Sequence, residues 1–208
     1  SASDAHLIEQ LAECRVQLVR RLIGARFNLG PDVGVADVAL HPEDSNTLLA
    51  ASYERIRRAW DFDGAGPGSG IHKSTDGGRT WQHMGLDDTH HIGRIVMHPG
   101  DPDVVYVAAM GHLWGPNEER GLYMSTDGGQ TWTRTLSVDA HTGVVDVAID
   151  PSDPDVMYAA TYQRQRRAFG FHGGGPGSGL WKSTDGGRSW AKLGPTETGV
   201  PDAVAAYD

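Results

Sequence analysis

An octapeptide returns three times along the chain and limits what it can fold into. Ser74-Thr75-Asp76-Gly77-Gly78-Arg79-Thr80-Trp81 recurs as Ser125-Thr126-Asp127-Gly128-Gly129-Gln130-Thr131-Trp132 and as Ser183-Thr184-Asp185-Gly186-Gly187-Arg188-Ser189-Trp190. The serines are spaced by 51 and then 58 residues. A second shared element precedes each copy: His41-Pro42-Glu43-Asp44, His98-Pro99-Gly100-Asp101 and Asp150-Pro151-Ser152-Asp153. A chain that repeats itself at such a period builds one supersecondary unit several times and stacks the copies, because a single unit cannot bury its apolar face alone.

Each unit reads as strands. Residues 35–40, 92–97 and 144–149 are short apolar runs that end in a Pro-containing turn, and a second run follows at 48–51, 104–109 and 156–160. A third short strand leads into the octapeptide, and a fourth begins at its closing tryptophan. Four antiparallel strands every ~50 residues is the period of a propeller blade. The expected fold is all-β, a β-propeller segment of about three four-stranded blades at roughly 33–84, 91–135 and 143–193 within a domain 33–208. Within the octapeptide, an Asp carboxylate can accept backbone N–H groups while Gly-Gly supplies a positive φ, and the tryptophan is expected to bury its ring between sheets. The expected role of Ser74, Asp76, Gly78, Trp81, Ser125, Asp127, Gly129, Trp132, Ser183, Asp185, Gly187 and Trp190 is therefore structural.

Composition agrees with a turn-rich globular chain. Of 208 residues 28 are glycine, nearly twice the ordinary share of about 7%, with no collagen period. A net charge of -9 disfavours a nucleic-acid partner, since phosphate neutralisation needs lysine and arginine. No apolar stretch reaches the ~18 residues of a membrane span. Cys14 stands alone, so no internal disulfide can form. Residues 1–32 fall outside the repeat. Leu7, Leu11, Leu18 and Leu22 with Ile8, Val19 and Ile23 lie on one helical stripe that Ser3 or Asp4 can cap and Gly24 can end. One amphipathic helix is expected there, either covering a blade edge or serving as an appendage. Its charged residues exclude a signal peptide in this stretch.

The octapeptides match the Asp box, or BNR repeat, Ser-x-Asp-x-Gly-x-Thr-Trp, with Ser189 in place of threonine once. Residues from about 33 to 192 resemble the bacterial sortilin-like "glycosyl hydrolase, BNR repeat" group, through Ile92-Gly93-Arg94-Ile95, the segment from Gly111 to Gly121 and Gly174-Gly175-Pro176-Gly177-Ser178-Gly179. The resemblance implies a segment of a larger propeller and an extracellular or periplasmic location. Three blades fall short of the ~4–8 that close a ring, so further blades or other copies of the chain are expected as partners.

Loops between the second and third strands hold the candidate ligand residues: Tyr53, Arg57, Arg58 and Trp60 in the first unit, His112, Trp114 and Arg120 in the second, Tyr162, Arg166 and Arg167 in the third. Arginine beside aromatics suits carboxylates, sugars or peptide acids, and loops carry function when a rigid scaffold holds them. The same arginines can equally pair with Asp61, Glu54 or Glu118 as architecture. The resemblance implies a non-catalytic module presenting these loops to a protein, peptide or glycan. The alternative is part of a sialidase-like or xyloglucanase-like glycoside hydrolase, for which two flanking carboxylates suffice, with Glu54, Glu118 and Glu119 available. In xyloglucan-cleaving relatives the catalytic acids sit just past a second strand, which corresponds here to Tyr53, Met110 and Tyr162, none of them acidic. Asp87, Asp88, His90 and His91 are of metal-ligating type, but a polar inter-blade linker accounts for them, and no metal is assigned. The glycine-rich turns follow no Walker or dinucleotide pattern, so no cofactor is expected.

Overall fold

The computed structural model describes residues 29, 32–59, 62–64, 66–167 and 169–194. The expected amphipathic helix, Trp60, Asp61 and the side chain of Arg57 lie outside the described residues.

The chain forms three antiparallel sheets in sequence order. The first contains β1 (Val33–Leu40), β2 (Leu48–Glu54), β5 (Gly70–Ser74) and β6 (Gln82–His83), with a small hairpin of β3 (Ile56–Arg57) and β4 (Phe62–Asp63) between β2 and β5. The second runs β7 (Ile92–His98), β8 (Asp101–Ala109), β9 (Gly121–Ser125) and β10 (Thr133–Leu136). The third comprises β11 (Thr142–Ile149), β12 (Met157–Arg167), β14 (Gly179–Ser183) and β15 (Ala191–Lys192), and β13 (Gly170–Gly173) pairs with the far end of β12. A 3-10 turn at Asp87–Thr89 links the first sheet to the second. Among the described residues no helix is long and apolar enough to cross a membrane.

These sheets are the blades of a propeller segment. Leu49, Ala51 and Ile71 of the first blade pack against Ile92, Ile95, Val105 and Val107 of the second. Tyr106, Leu122 and Met124 on the other face of the second blade pack against Val144, Val147, Met157 and Ala159 of the third. The middle blade is thus covered on both faces, which is why β8 and β9 are nearly continuous apolar runs. On the third blade Leu180 remains 37% exposed.

Each innermost strand carries a register irregularity at the same place, Val35/Asp37, Ile92/Arg94 and Val144/Asp146. The bulges turn polar side chains toward the neighbouring blade. Asp37 Oδ2 accepts the Ile95 N–H at 2.8 Å, and Arg94 Nε donates to Asp146 Oδ1 at 2.9 Å. Between them the strands come so close that a methyl group on Gly93 would lie 2.6 Å from the Val145 carbonyl oxygen.

The three octapeptides are superimposable networks. In the second, Ser125 Oγ donates to Asp127 Oδ1 at 2.7 Å and accepts the Gly129 N–H at 2.8 Å, while Thr131 donates its N–H to Oδ1 and its hydroxyl to Oδ2. Ser189 in the third keeps the hydroxyl bond to Asp185 Oδ2 at 2.6 Å, so the missing methyl changes nothing in the network. Gly77 and Gly78, like their counterparts, have positive φ, the conformation glycine adopts without steric penalty. The box tryptophans are half-buried rather than fully enclosed. Trp132 and Trp190 reach the blade before them, whereas Trp81 bonds the Gly78 carbonyl of its own turn.

The upstream Pro-containing turns share one device despite different residues. His41 Nδ1 accepts the N–H groups of Glu43 and Asp44, His98 Nδ1 accepts that of Gly100, and Asp150 Oδ1 accepts that of Ser152.

Candidate functional site

Loops that leave β2, β8 and β12 gather with the inter-blade links at one end of the segment, away from the Asp boxes. Strand register explains the gathering. Ser52, Ala109 and Thr161 sit opposite Gly70, Gly121 and Gly179, so Tyr53, Met110 and Tyr162 occupy equivalent positions. No carboxylate stands at any of the three.

The loops of the first and third blades are one module. Glu54 Oε2 accepts the Gly68 N–H at 3.0 Å and Gln163 Oε1 accepts the Gly177 N–H at 2.9 Å. Ser69 and Ser178 hydroxyls accept the N–H groups of Glu54 and Gln163, and Ser52 and Thr161 hydroxyls donate to the carbonyls of Gly68 and Gly177. A carbonyl oxygen in one copy does the work of a carboxylate in the other. Glu54 is therefore a loop tie, and its charge is incidental to that role.

The loop of the middle blade is organised around Arg120. Its side chain is 1% exposed, and its guanidinium donates to the carbonyls of Ala140 (2.9 Å), His112 (2.7 Å), Gly115 (3.2 Å) and Met110. Burial lowers its pKa to about 10, with nearby Arg164 adding to the effect. An arginine so enclosed in carbonyls is a clamp, and it does not present its fork to a ligand. Arg164 Nη2 approaches the same His112 carbonyl at 3.4 Å, and burial lowers the Arg164 pKa as well. Sequence reading placed Arg120 among the loop ligands and gave Arg164 no role. Their burial depends on segments 20 and 52 residues away, which no local pattern reveals.

Outward-facing candidates cluster at the seam between the second and third blades. Trp114 is 42% exposed, and the Arg166 guanidinium lies over its ring at 5.4 Å. A β-bridge joins the two residues. Beyond them the β12–β13 hairpin presents Phe169 and Phe171, at 103% and 54% exposure. Arg167 donates to Gln165 Oε1 at 3.3 Å. Tyr162 is half-buried beneath Gly173. In the first blade Tyr53 is half-buried with its ring 6.1 Å from that of His91, and Arg58 is exposed.

The two glutamates of the middle loop have local partners. Glu119 Oε2 accepts the Tyr123 hydroxyl at 2.7 Å, and the main-chain carbonyl of Glu118 accepts from Arg134. Burial, then the Glu119 bond, drives the Tyr123 hydroxyl pKa upward. The acidic and histidine link divides in an unexpected way. Asp87 pairs with His83 at 2.8 Å and His91 Nδ1 contacts the Gly111 carbonyl at 3.1 Å, whereas Asp88 faces both His90 and His112.

Comparison with known proteins follows the same lines. A xyloglucanase of Acetivibrio thermocellus is 31% identical over 129 residues, covering 55% of this chain and 14% of that protein. A xyloglucanase of Hypocrea jecorina is 28% identical over 135 residues, covering 59% and 14%. The chain thus spans about 14% of the length of these relatives. Among solved structures, an ancestral GH74 enzyme superimposes with a TM-score of 0.54 at 22% identity over 79% of this chain and 19% of that one. The GH74 xyloglucanase from Xanthomonas campestris does so with a TM-score of 0.50 at 19% identity, over 81% and 24%. Both share the fold. The family model described as "Sortilin, neurotensin receptor 3" matches residues 69–201, from the third strand of the first blade to beyond the last box. With most of the chain matched in this way, and with three Asp-box blades in register, the protein belongs to the Sortilin-Vps10 family.

Proposed function

We propose that the chain is a three-blade stretch of a polysaccharide-directed propeller, and that it contributes binding surface rather than a catalytic pair. The observation that carries this reading is the ledge at the second seam, where exposed Trp114 lies under Arg166 beside Phe169 and Phe171. The exposed Trp114, Phe169 and Phe171 rings offer apolar surface to the C–H face of a pyranose, and the guanidinium over the indole supplies donors for ring hydroxyls. The names of the xyloglucanase relatives make xyloglucan the ligand to try first. Such a polymer is met outside the cytoplasm, so the reading includes an extracellular or periplasmic location. Ring closure would fall to further blades or to other copies of the chain.

The common route of glycoside hydrolysis uses two carboxylates that flank the glycosidic bond. Here Glu54 is bonded to the Gly68 N–H and Glu119 to the Tyr123 hydroxyl, and the positions after the second strands are Tyr53, Met110 and Tyr162. The test is affinity electrophoresis of the chain in gels containing xyloglucan, with calorimetry on xyloglucan oligosaccharides. Retardation is expected, with W114A weakening it about tenfold or more while the urea midpoint stays unchanged. Absence of retardation overturns the reading. Release of reducing ends that disappears in E118Q or E119Q would establish the hydrolase alternative instead.

A further inference from the structure

The geometry points to a divalent transition-metal site ligated by Asp88, His90 and His112, where the link from the first blade meets the loop of the second. One oxygen and two imidazole nitrogens lie within 4.8 Å of one another. His112 Nε2 is 3.1 Å and His90 Nε2 3.7 Å from the same atom, Asp88 Oδ1. The two rings stack face to face, centroids 3.6 Å apart and planes 17° from parallel.

Each imidazole can offer a ring-nitrogen lone pair and the carboxylate an oxygen, so the three groups supply three donors to one ion. The donor set decides the class of ion. Two imidazoles and one carboxylate suit zinc, cobalt, nickel or copper, whereas calcium and magnesium require predominantly oxygen ligands.

The donors are held from behind, as metal ligands are by their outer-shell partners. Asp88 lies in the 3-10 turn, flanked by Leu86 and His90, both with positive φ (61° and 53°). Buried Thr89 ties that turn through its hydroxyl to the Leu86 carbonyl at 2.7 Å. The Asp88 carbonyl accepts from Asn117 Nδ2 at 3.4 Å. Asn117 is itself buried, and its Oδ1 has no hydrogen-bond partner among the described residues. On the other side the His112 carbonyl is gripped by Arg120 and Arg164. Asp87 is occupied by His83 and does not compete for the ion. Asp88 is the exposed member, with 67% of its side chain accessible, so the remaining coordination positions face solvent. A bound ion would cross-link the inter-blade link to the Trp114 loop, and the site stands or falls independently of the glycan reading.

The test uses the whole chain, stripped with chelator and titrated with Zn2+ by calorimetry and with Co2+ by visible absorption. One ion per chain is expected, with Co2+ giving the intense d–d bands of a four- or five-coordinate site, and the melting temperature should rise with Zn2+. H90A, H112A and D88N should each weaken binding about tenfold or more. H98A, which alters only a surface turn, should leave it unchanged. Should H112A fail to fold, H90A and D88N carry the test, since neither residue is buried. Equal Zn2+ affinity in the chain and in the H90A/H112A double variant would overturn the site, as would one ion per two chains.

Discussion

The indole N–H of Trp132 donates to the Met84 carbonyl at 2.8 Å, so the second Asp box is fastened to the blade before it. Trp190 shares its indole N–H between the Gly187 carbonyl of its own turn at 3.0 Å and Thr135 Oγ1 of the blade before it at 3.4 Å, and Trp81, in the first box, bonds the Gly78 carbonyl of its own turn. Trp132 also packs on the apolar seam of the first two blades. W132F should lower stability by about 1 kcal/mol through the lost hydrogen bond. W132A should lower it by about 3 kcal/mol through lost packing. W81A is expected to have a smaller effect than W132A in the same urea titrations, and an equal effect would deny the inter-blade role.

Glu54 and Gln163 do the same work in equivalent loops, accepting the N–H groups of Gly68 and Gly177. E54Q should therefore fold with a urea midpoint within about 0.5 kcal/mol of the parent, and any polysaccharide binding should persist. E54A should be worse, because it leaves the Gly68 N–H without its acceptor. A large loss in E54Q with little further loss in E54A would return a chemical role to the carboxylate.

The pattern of success in reading the sequence follows the range of the contacts. Within a box, Ser125, Asp127, Gly129 and Thr131 meet across at most four residues, so composition and spacing alone expose the network. Strand order followed from the repetition of that unit. The gathering of Asp88 and His90 with His112 was not legible, because His112 arrives from beyond β7 and β8 and a linear reading groups Asp88 with its neighbours Asp87 and His91. The enclosure of Arg120 was hidden for the same reason. Its residue type suggested a ligand contact, and only the approach of the 139–141 link encloses it. The hairpin made by the far end of β12 with β13 reads as a loop in the sequence, since Arg164–Arg167 offers no apolar alternation.

Acid should loosen the boxes over a defined range. The Thr131 hydroxyl, then the Thr131 N–H and the Ser125 hydroxyl, hold the Asp127 carboxyl down to about 2, and Ser189 leads the corresponding set that holds Asp185 at about 2. Asp76 is lowered further, chiefly by Thr80. In the unfolded chain these groups titrate near ~3.9, above their folded values. The stability they contribute is complete above about pH 4 and is lost as pH falls through about 2. D127N should flatten that limb in acid-unfolding curves while lowering stability at neutral pH. An unchanged slope would mean that the carboxylate is not linked to folding.

His72 sets a second, milder pH dependence. Its ring is buried beside Ser52 Oγ (3.1 Å) and packed edge-on against His83, and burial first, His83 second, pushes its pKa down to about 4. The unfolded value is ~6.5, so the folded protein holds the neutral ring while the unfolded chain takes up the proton. Stability from this site is full above about pH 6.5 and declines as pH falls through about 4. H72Q should remove the decline between those limits without altering the steeper acid limb, as read from urea midpoints across the range.

Arg120 joins the second and third blades without an ion pair among the described residues. Its donors go to four main-chain carbonyls, three of them within its own loop region and one, Ala140, in the link that precedes β11. Removing the guanidinium leaves those oxygens buried and unpaired, so R120M should destabilise the chain by about 3–5 kcal/mol despite preserving volume. R120K keeps the charge but not the planar fork, and a compact ammonium cannot reach carbonyls arranged around a guanidinium. It should therefore lie closer to R120M than to the parent in urea midpoint. Because the same clamp holds the Ala140 carbonyl, both variants should speed hydrogen exchange at the Asn117 amide, which is bonded to that carbonyl at 2.8 Å. R120K matching the parent in both measurements would show that a point charge suffices, and the carbonyl cage would then owe its shape to the surrounding strands.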